Sequence, residues 1–312
     1  MKTKNLLFRS ATLIVASSLI LTSCLGESEY EKQVKIDDQI ISEYLEENDI
    51  QAQKHSSGLY YLAVTPNSSG ATLKKNDVVS FYYSISRLDG TVIESINKNE
   101  DEPAKFKLLS YTIIPEGLDQ AIDLMRVGEK FRFFIPSYLA YGSYSTGDFS
   151  TNCNFIIDIE VTDVESEAQI NENQLDSIEA YMTEKYPVHQ LFATGLYFVD
   201  SIPGTGSMPM EGDRVNVDFT RMYLDNDTIK SVNNTSFRLN RGEAVQGLED
   251  GIRQMKEGGV AILIMPASLG FKQSLCVIPQ KTRQDLLDDK IVSSEVLPYS
   301  IIKYVVKLNT IN

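Results

Sequence analysis

Tyr141 stands in Ala140-Tyr141-Gly142-Ser143-Tyr144, a polar, turn-like loop without periodicity, so its phenol fits a plain core position poorly and is a candidate for chemistry. Other chemistries find little support in the 312 residues. His55 and His189 are far apart and match no metal-ligand spacing, so no metal, no cofactor and no histidine-activated nucleophile is expected. Of three cysteines, Cys153 and Cys276 fall one in each half at non-equivalent positions, and a disulfide between them stays open in an oxidising compartment.

The chain is 42% hydrophobic and 23% charged, with room for two globular domains. Its 29 basic and 43 acidic residues leave a net charge of −14 without a basic cluster, so no nucleic acid partner is expected. Lys2, Lys4 and Arg9 precede an apolar run over 11–21 that closes in Leu21-Thr22-Ser23-Cys24. This is similar to a bacterial lipoprotein signal and its lipobox. It implies a signal peptide at 1–23, lipid on Cys24, an acidic tether at 24–36 and a lipoprotein of the bacterial outer membrane, facing periplasm or surface. A plain secretory signal or an uncleaved anchor are the alternatives. No other run approaches the ~20 apolar residues of a membrane helix.

The chain also repeats itself. "EYLEENDIQAQKHSSGLYYL" (43–62) pairs with "AYMTEKYPVHQLFATGLYFV" (180–199), and "EGLDQAIDLMRVGEK" (116–130) with "QGLEDGIRQMKEGGV" (246–260). Two domains follow, 37–165 and 173–312, joined by an acidic linker at 166–172. Ile36, Ile40, Ile41, Tyr44 and Leu45 recur at helical spacing, as do Leu175, Ile178, Tyr181 and Met182, so an amphipathic helix precedes each domain. Val79, Phe81, Tyr83 and Ile85 alternate with polar neighbours as a half-buried strand does, and so do Val215, Val217 and Phe219. Asp89-Gly90 supplies a turn, and further strands are predicted over 131–135 and 155–161. A short helix presents Leu118, Ala121, Ile122 and Met125 in one copy and Leu248, Gly251, Ile252 and Met255 in the other. The fold class is α+β, an antiparallel sheet with a short helix across one face, in two tandem copies.

"GDRVNVDF", "YYSISRLDGTVIES", "EGLDQAIDLMRVGEKFRFFIPSYLAYG" and "NFIIDIEV" carry a resemblance. They look like the successive motifs of FKBP-type peptidyl-prolyl cis-trans isomerases, matched twice along the chain, in an arrangement similar to lipid-anchored two-domain members from bacteria related to Bacteroides. The resemblance implies a sheet wrapped on a short helix, an apolar cavity for a proline ring, and proline-containing or unfolded exported polypeptides as partners. Carried over residue by residue, it implies Tyr83, Glu94 and Tyr141 as catalytic residues and Ile93, Phe106, Ile114, Pro115, Leu118 and Ile157 as the substrate-binding wall. Ile93-Glu94 stands where the family has Phe-Asp, Leu118 where many members have tryptophan, and Ile157 where an aromatic is usual. Tyr83, Phe106 and Leu118 also fit a plain core role.

In the second copy Phe219 replaces the strand tyrosine, Lys230 the acidic residue, Phe271 the loop tyrosine and Lys272 the glycine after it. An apolar groove of Ile229, Phe237, Val245, Leu248 and Tyr304 is expected there without orienting donors. An insertion at about 272–297, with a helical turn within 280–290, is expected to bind a partner or cover the groove. Two functions compete: a lipid-anchored isomerase assisting exported proteins, with the first domain catalytic and the second a binding copy, and a non-catalytic envelope lipoprotein whose two domains are interaction modules.

Overall fold

The computed structural model describes residues 27–312; the expected signal and the lipidation site at Cys24 lie outside them. The first half runs α1 (Glu29–Glu47), β1 (Gln53–Lys54), β2 (Tyr60–Thr65), β3 (Val78–Arg87), β4 (Val92–Ile96), β5 (Ala104–Lys107), β6 (Ile113–Ile114), α2 (Gly117–Asp123), β7 (Lys130–Ile135) and β8 (Phe155–Glu165). The second runs α3 (Glu167–Lys185), β9 (Gln190–Leu191), β10 (Tyr197–Ile202), β11 (Arg214–Met222), β12 (Thr228–Arg238), α4 (Gln246–Ile252), β13 (Val260–Met265), β14 (Cys276–Val277), α5 (Arg283–Asp288) and β15 (Ile302–Ile311).

The first sheet has the order β1-β2-β7-β8-β3-β4, with β5 sharing the free edge of β3, and the second has β12-β11-β15-β13-β10-β9. Both are antiparallel throughout. The long β12 does in one strand what β4 and β5 do in two.

Alternation along β3 and β7 decides the layers. Val79, Phe81, Tyr83, Ile85 and Phe133 face inward onto Leu118, Ala121 and Ile122 of α2 in one buried core. Phe134 points the other way, onto Ile41 and Leu45 of α1. The sheet therefore carries a helix on each face, whereas the sequence predicted one covered face. The second copy repeats this, with Ile178 and Met182 of α3 on Ile264. Ile36 and Ile40, expected on the apolar stripe, are 49% and 41% exposed; the buried stripe is Asp37, Ile41 and Leu45.

A hydrogen bond registers each of these helices, buried in the first copy and part-buried in the second. Asp37 is fully buried and accepts from the Ser137 hydroxyl at 2.6 Å. At the same place in the second copy Gln174 accepts from the Ala267 amide at 2.8 Å.

Residues 29–36 of the expected tether and 167–172 of the expected linker are helical. The acidic residues there are helix starts. Ser28 with Glu31 and Ser166 with Gln169 each form a reciprocal capping box, and carboxylates in a first turn favour the helix dipole. Among the described residues no helix is long and apolar enough to cross a membrane.

Candidate functional site

The pocket of the first domain is built where β3, β4, β6, α2 and the loop after β7 converge. Tyr83 reaches it from β3, 3% exposed, and donates to Glu94 of β4. The register slips between Ile85↔Glu94 and Ser86↔Val92, leaving Ile93 as a bulge residue that packs on the core beside Glu94. This slip answers how the longer glutamate side chain meets Tyr83. Burial first, and then the Glu94 carboxylate, push the Tyr83 phenol well above its ordinary range, so it stays a donor.

Phe106, Leu118 and Ile157 are fully buried in the same core, with Phe106 edge-on to Phe81 at 5.7 Å. Pro115 is buried and Ile114 half-buried beside them. Asp119 of α2 accepts the Leu109 and Tyr111 amides at 2.5 and 3.1 Å, fixing the left-handed turn that leads into β6. Tyr141 rests on Phe149 at 4.7 Å and on Phe155 at 6.1 Å. Burial raises its phenol too, so it also keeps its proton.

Of the residues expected at the site, Tyr83, Phe106, Leu118 and Ile157 lie in one core cluster with Ile93 and Tyr141 packed on it, Glu94 joins through Tyr83 and Ile114 packs with Tyr141; Phe149 and Phe155 belong to the same cluster. Phe149 gave little sequence signal, being a lone aromatic in the polar run Thr146-Gly147-Asp148-Phe149-Ser150-Thr151. Among the described residues no cluster of histidine, cysteine or acidic side chains is arranged to hold a metal. Cys153 and Cys276 are free thiols.

The space is occupied by the second domain's insertion. β14 pairs in parallel with β6, Cys276 beside Ile113 and Val277 beside Ile114. The Cys276 amide donates to the Thr112 carbonyl at 2.7 Å and the Ile278 amide to the Ile114 carbonyl at 2.8 Å. Tyr141 donates to the Ile278 carbonyl at 2.9 Å. Glu94 accepts the Gln280 amide at 2.6 Å and the Lys281 amide at 3.0 Å. Ile278 and Pro279 between them are buried. The insertion, expected to bind a partner or cover the second domain's groove, instead enters the first domain's with its 276–281 stretch, and its expected helical turn is the 3-10 turn Gln280–Thr282 continuing into α5.

The second domain's own site departs from the expected empty apolar groove. The pair Ile85↔Ile157, which lies across β3 and β8, has as its counterpart Arg221↔Tyr304 across β11 and β15. The Arg221 guanidinium lies 4.5 Å over Phe271 and bonds the Tyr304 hydroxyl at 2.8 Å and Glu295 at 2.6 Å. Polar groups have filled the groove, because a cation stacked among three rings and paired with a carboxylate is satisfied where an isolated one is not. Lys272 keeps the left-handed backbone of Gly142, at φ 48° against 54°, despite the cost to a residue with a Cβ.

The family model for FKBP-type peptidyl-prolyl cis-trans isomerases matches residues 70–162 and 206–308. The FKBP-type isomerase FkpA of Aeromonas hydrophila is 38% identical over 117 residues, covering 38% of this chain and 42% of that protein. Human peptidyl-prolyl cis-trans isomerase FKBP9 is 24% identical over 215 residues, 68% of this chain and 33% of the relative. This chain thus spans less than half the length of either. The crystal structure of Escherichia coli FkpA is 22% identical over 53% of this chain and 75% of that one, with a TM-score of 0.36. With two matched segments that together make up most of its length, the chain belongs to the FKBP-type peptidyl-prolyl cis-trans isomerase family.

Proposed function

We propose that the first domain isomerises X-Pro peptide bonds in exported polypeptides, and that the second is a non-catalytic copy that supports it. Rotation about X-Pro meets a barrier of ~18–20 kcal/mol because it breaks amide resonance, and it needs neither proton transfer nor a covalent intermediate. What lowers it is withdrawal of water from the amide and a held geometry for the flanking chain. The observation that carries the reading is the Tyr141 hydroxyl aimed at the carbonyl of the residue before a buried proline, Ile278-Pro279. Such a donor orients the carbonyl while Phe106, Leu118 and Ile157 keep water from the ring. In this reading Tyr83, Glu94 and Tyr141 do the orienting, and Ile93, Ile114 and Pro115 complete the wall.

The second domain lacks both phenol positions, with Phe219 and Phe271 there and Arg221 in the groove, which supports assigning it no catalysis. Isomerisation of a proline peptide followed with each domain's pocket altered in turn is the test. Loss of rate on Tyr141→Phe and none on Phe271→Ala is expected, and absence of catalysis by the full chain under every condition would leave two interaction modules.

The envelope assignment rests on Leu21-Thr22-Ser23-Cys24. A Cys24→Ser protein is expected to leave the membrane fraction, and its retention there would mean an uncleaved anchor.

A further inference from the structure

We propose that the first domain's pocket carries an internal ligand, Leu275–Lys281 of the second domain, and that an incoming proline-containing chain is bound only by displacing it. This rests on reading that pocket as a proline site. The segment enters by strand addition to β6, a mode in which backbone hydrogen bonds hold the chain and pockets select alternate side chains. It places an aliphatic residue and then a proline at the centre, with Ile278 fully buried in the first domain's core.

Ordinary packing between domains does not explain which atoms are used. The Ile170, Val78, Ala267 and Tyr299 cluster already joins the two halves by apolar contact, flanked by the Lys107–Glu167 pair at 2.9 Å, and both lie away from the pocket's polar groups. The segment instead engages each polar group of the pocket with its backbone: Tyr141 through the Ile278 carbonyl, Glu94 through the Gln280 and Lys281 amides, and Tyr83 through the Gln280 amide at 3.3 Å. These contacts all use backbone atoms of the segment, so by themselves they ask nothing of its side chains. Burial of Ile278 and Pro279 adds the side-chain requirement, so a displacing chain has an aliphatic residue before proline, is extended up to it and turns after it to offer two free amides.

The arm is also built to stay within reach. The Tyr299 amide closes its base on the Lys272 carbonyl at 2.9 Å, and the buried Arg283 guanidinium ties the Leu275 and Ser294 carbonyls together. Lys281 pairs with Asp148 at 2.8 Å and Tyr144 with Asp289 at 2.8 Å on the rim. A tethered ligand competes at an effective concentration on the order of millimolar, so weakly binding chains are excluded.

The test uses the full chain carrying Cys24→Ser and Cys153→Ser, so that Cys276, 4% exposed, reports on the segment through its reaction with a thiol reagent. The probe is the peptide Leu-Ser-Val-Ile-Pro-Gln-Lys, with a Pro-to-Gly version as control. Saturating probe is expected to speed Cys276 labelling about tenfold or more while the control does not, and Ile278→Asp is expected to raise probe affinity by a similar factor. Labelling unchanged by bound probe, equal probe affinity for the parent and a folded Ile278→Asp protein, or no binding to either overturns the proposal. If Ile278→Asp does not fold, labelling of the parent decides alone. Probe-driven release without isomerisation would sink the isomerase reading and leave this inference standing. Equal isomerase rates with the segment docked and ejected would do the reverse.

Discussion

The Tyr141 hydroxyl and the Ile278 carbonyl, 137 residues apart in sequence, meet at 2.9 Å inside the first domain. A phenol held protonated by burial has one proton to give, and here it gives it to the peptide carbonyl that precedes a buried proline. Substrate and internal segment therefore compete for the same donor.

Removing that donor has a modest expected effect. One neutral hydrogen bond is worth ~0.5–1.5 kcal/mol, so Tyr141→Phe should lower kcat/KM by about two- to tenfold. The ratio is to be measured in the Ile278→Asp background, where docking of the segment does not enter. A loss of several orders of magnitude would mean that Tyr141 does more than orient a carbonyl.

Glu94 has a larger part in holding the segment, since it accepts two amides and the Tyr83 hydroxyl. Hydrogen bonds to a charged acceptor are worth about 1.5–3 kcal/mol. Glu94→Gln should therefore raise the rate of Cys276 labelling by about ten- to a hundredfold, with the far-ultraviolet circular dichroism unchanged. Labelling at the parent rate would show that β6 pairing alone retains the arm.

Release of the arm should depend on alkaline pH. Burial pushes the Cys276 thiol up from 9.0 to about 12, against the opposing pull of the Arg283 guanidinium, with the Tyr83 and Tyr141 phenols facing it and still protonated. A thiol whose pKa is raised in the docked state favours docking fully below pH 9.0 and loses that contribution as pH climbs toward about 12. Segment release should rise by up to about tenfold per pH unit above 9, and Cys276→Ala should flatten the profile when release is read by probe binding.

Asp37 should matter for stability and little for binding. Asp37→Ala leaves the buried Ser137 hydroxyl without its acceptor and frees Gln33, which donates to Asp37 at 2.7 Å. The expected cost to the first domain's unfolding transition is about 1–3 kcal/mol in denaturant titrations. Probe affinity in the Ile278→Asp background should stay within a factor of about two, because Asp37 lies on the sheet face opposite the pocket.

In the second domain Arg221→Leu removes one partner of a partly buried pair, 12% exposed at Arg221 and 23% at Glu295. A loss of about 1–3 kcal/mol is expected, largely recovered in Arg221→Leu/Glu295→Leu, since an apolar pair tolerates the site better than half an ion pair. Thermal unfolding of the single and double variants checks this. Neither should gain isomerase activity.

The repeat, the α+β class and the strand alternation could be read from the chain because each is a local pattern: period 2 in Val79-Phe81-Tyr83-Ile85, helical spacing in Leu118-Ala121-Ile122, and the same spacings again in the second copy. The candidate site residues came from the resemblance that the same order of motifs carries, and six of them meet in or on one core cluster. Capping was equally local, yet Ser28 with Glu31 and Ser166 with Gln169 were masked by acidic composition that also suits a linker. The rest depended on contacts distant in sequence. No periodicity announces that Ile278 and Pro279 leave their own domain to pair with Ile114. That placement follows from two backbone hydrogen bonds and one phenol, whose value exists only once two domains are folded side by side. Arg221 is the same lesson within one domain. On its strand it reads as an ordinary polar position, and only the cross-strand partner Tyr304, the ring of Phe271 and the carboxylate of Glu295 make a partly buried guanidinium stable there.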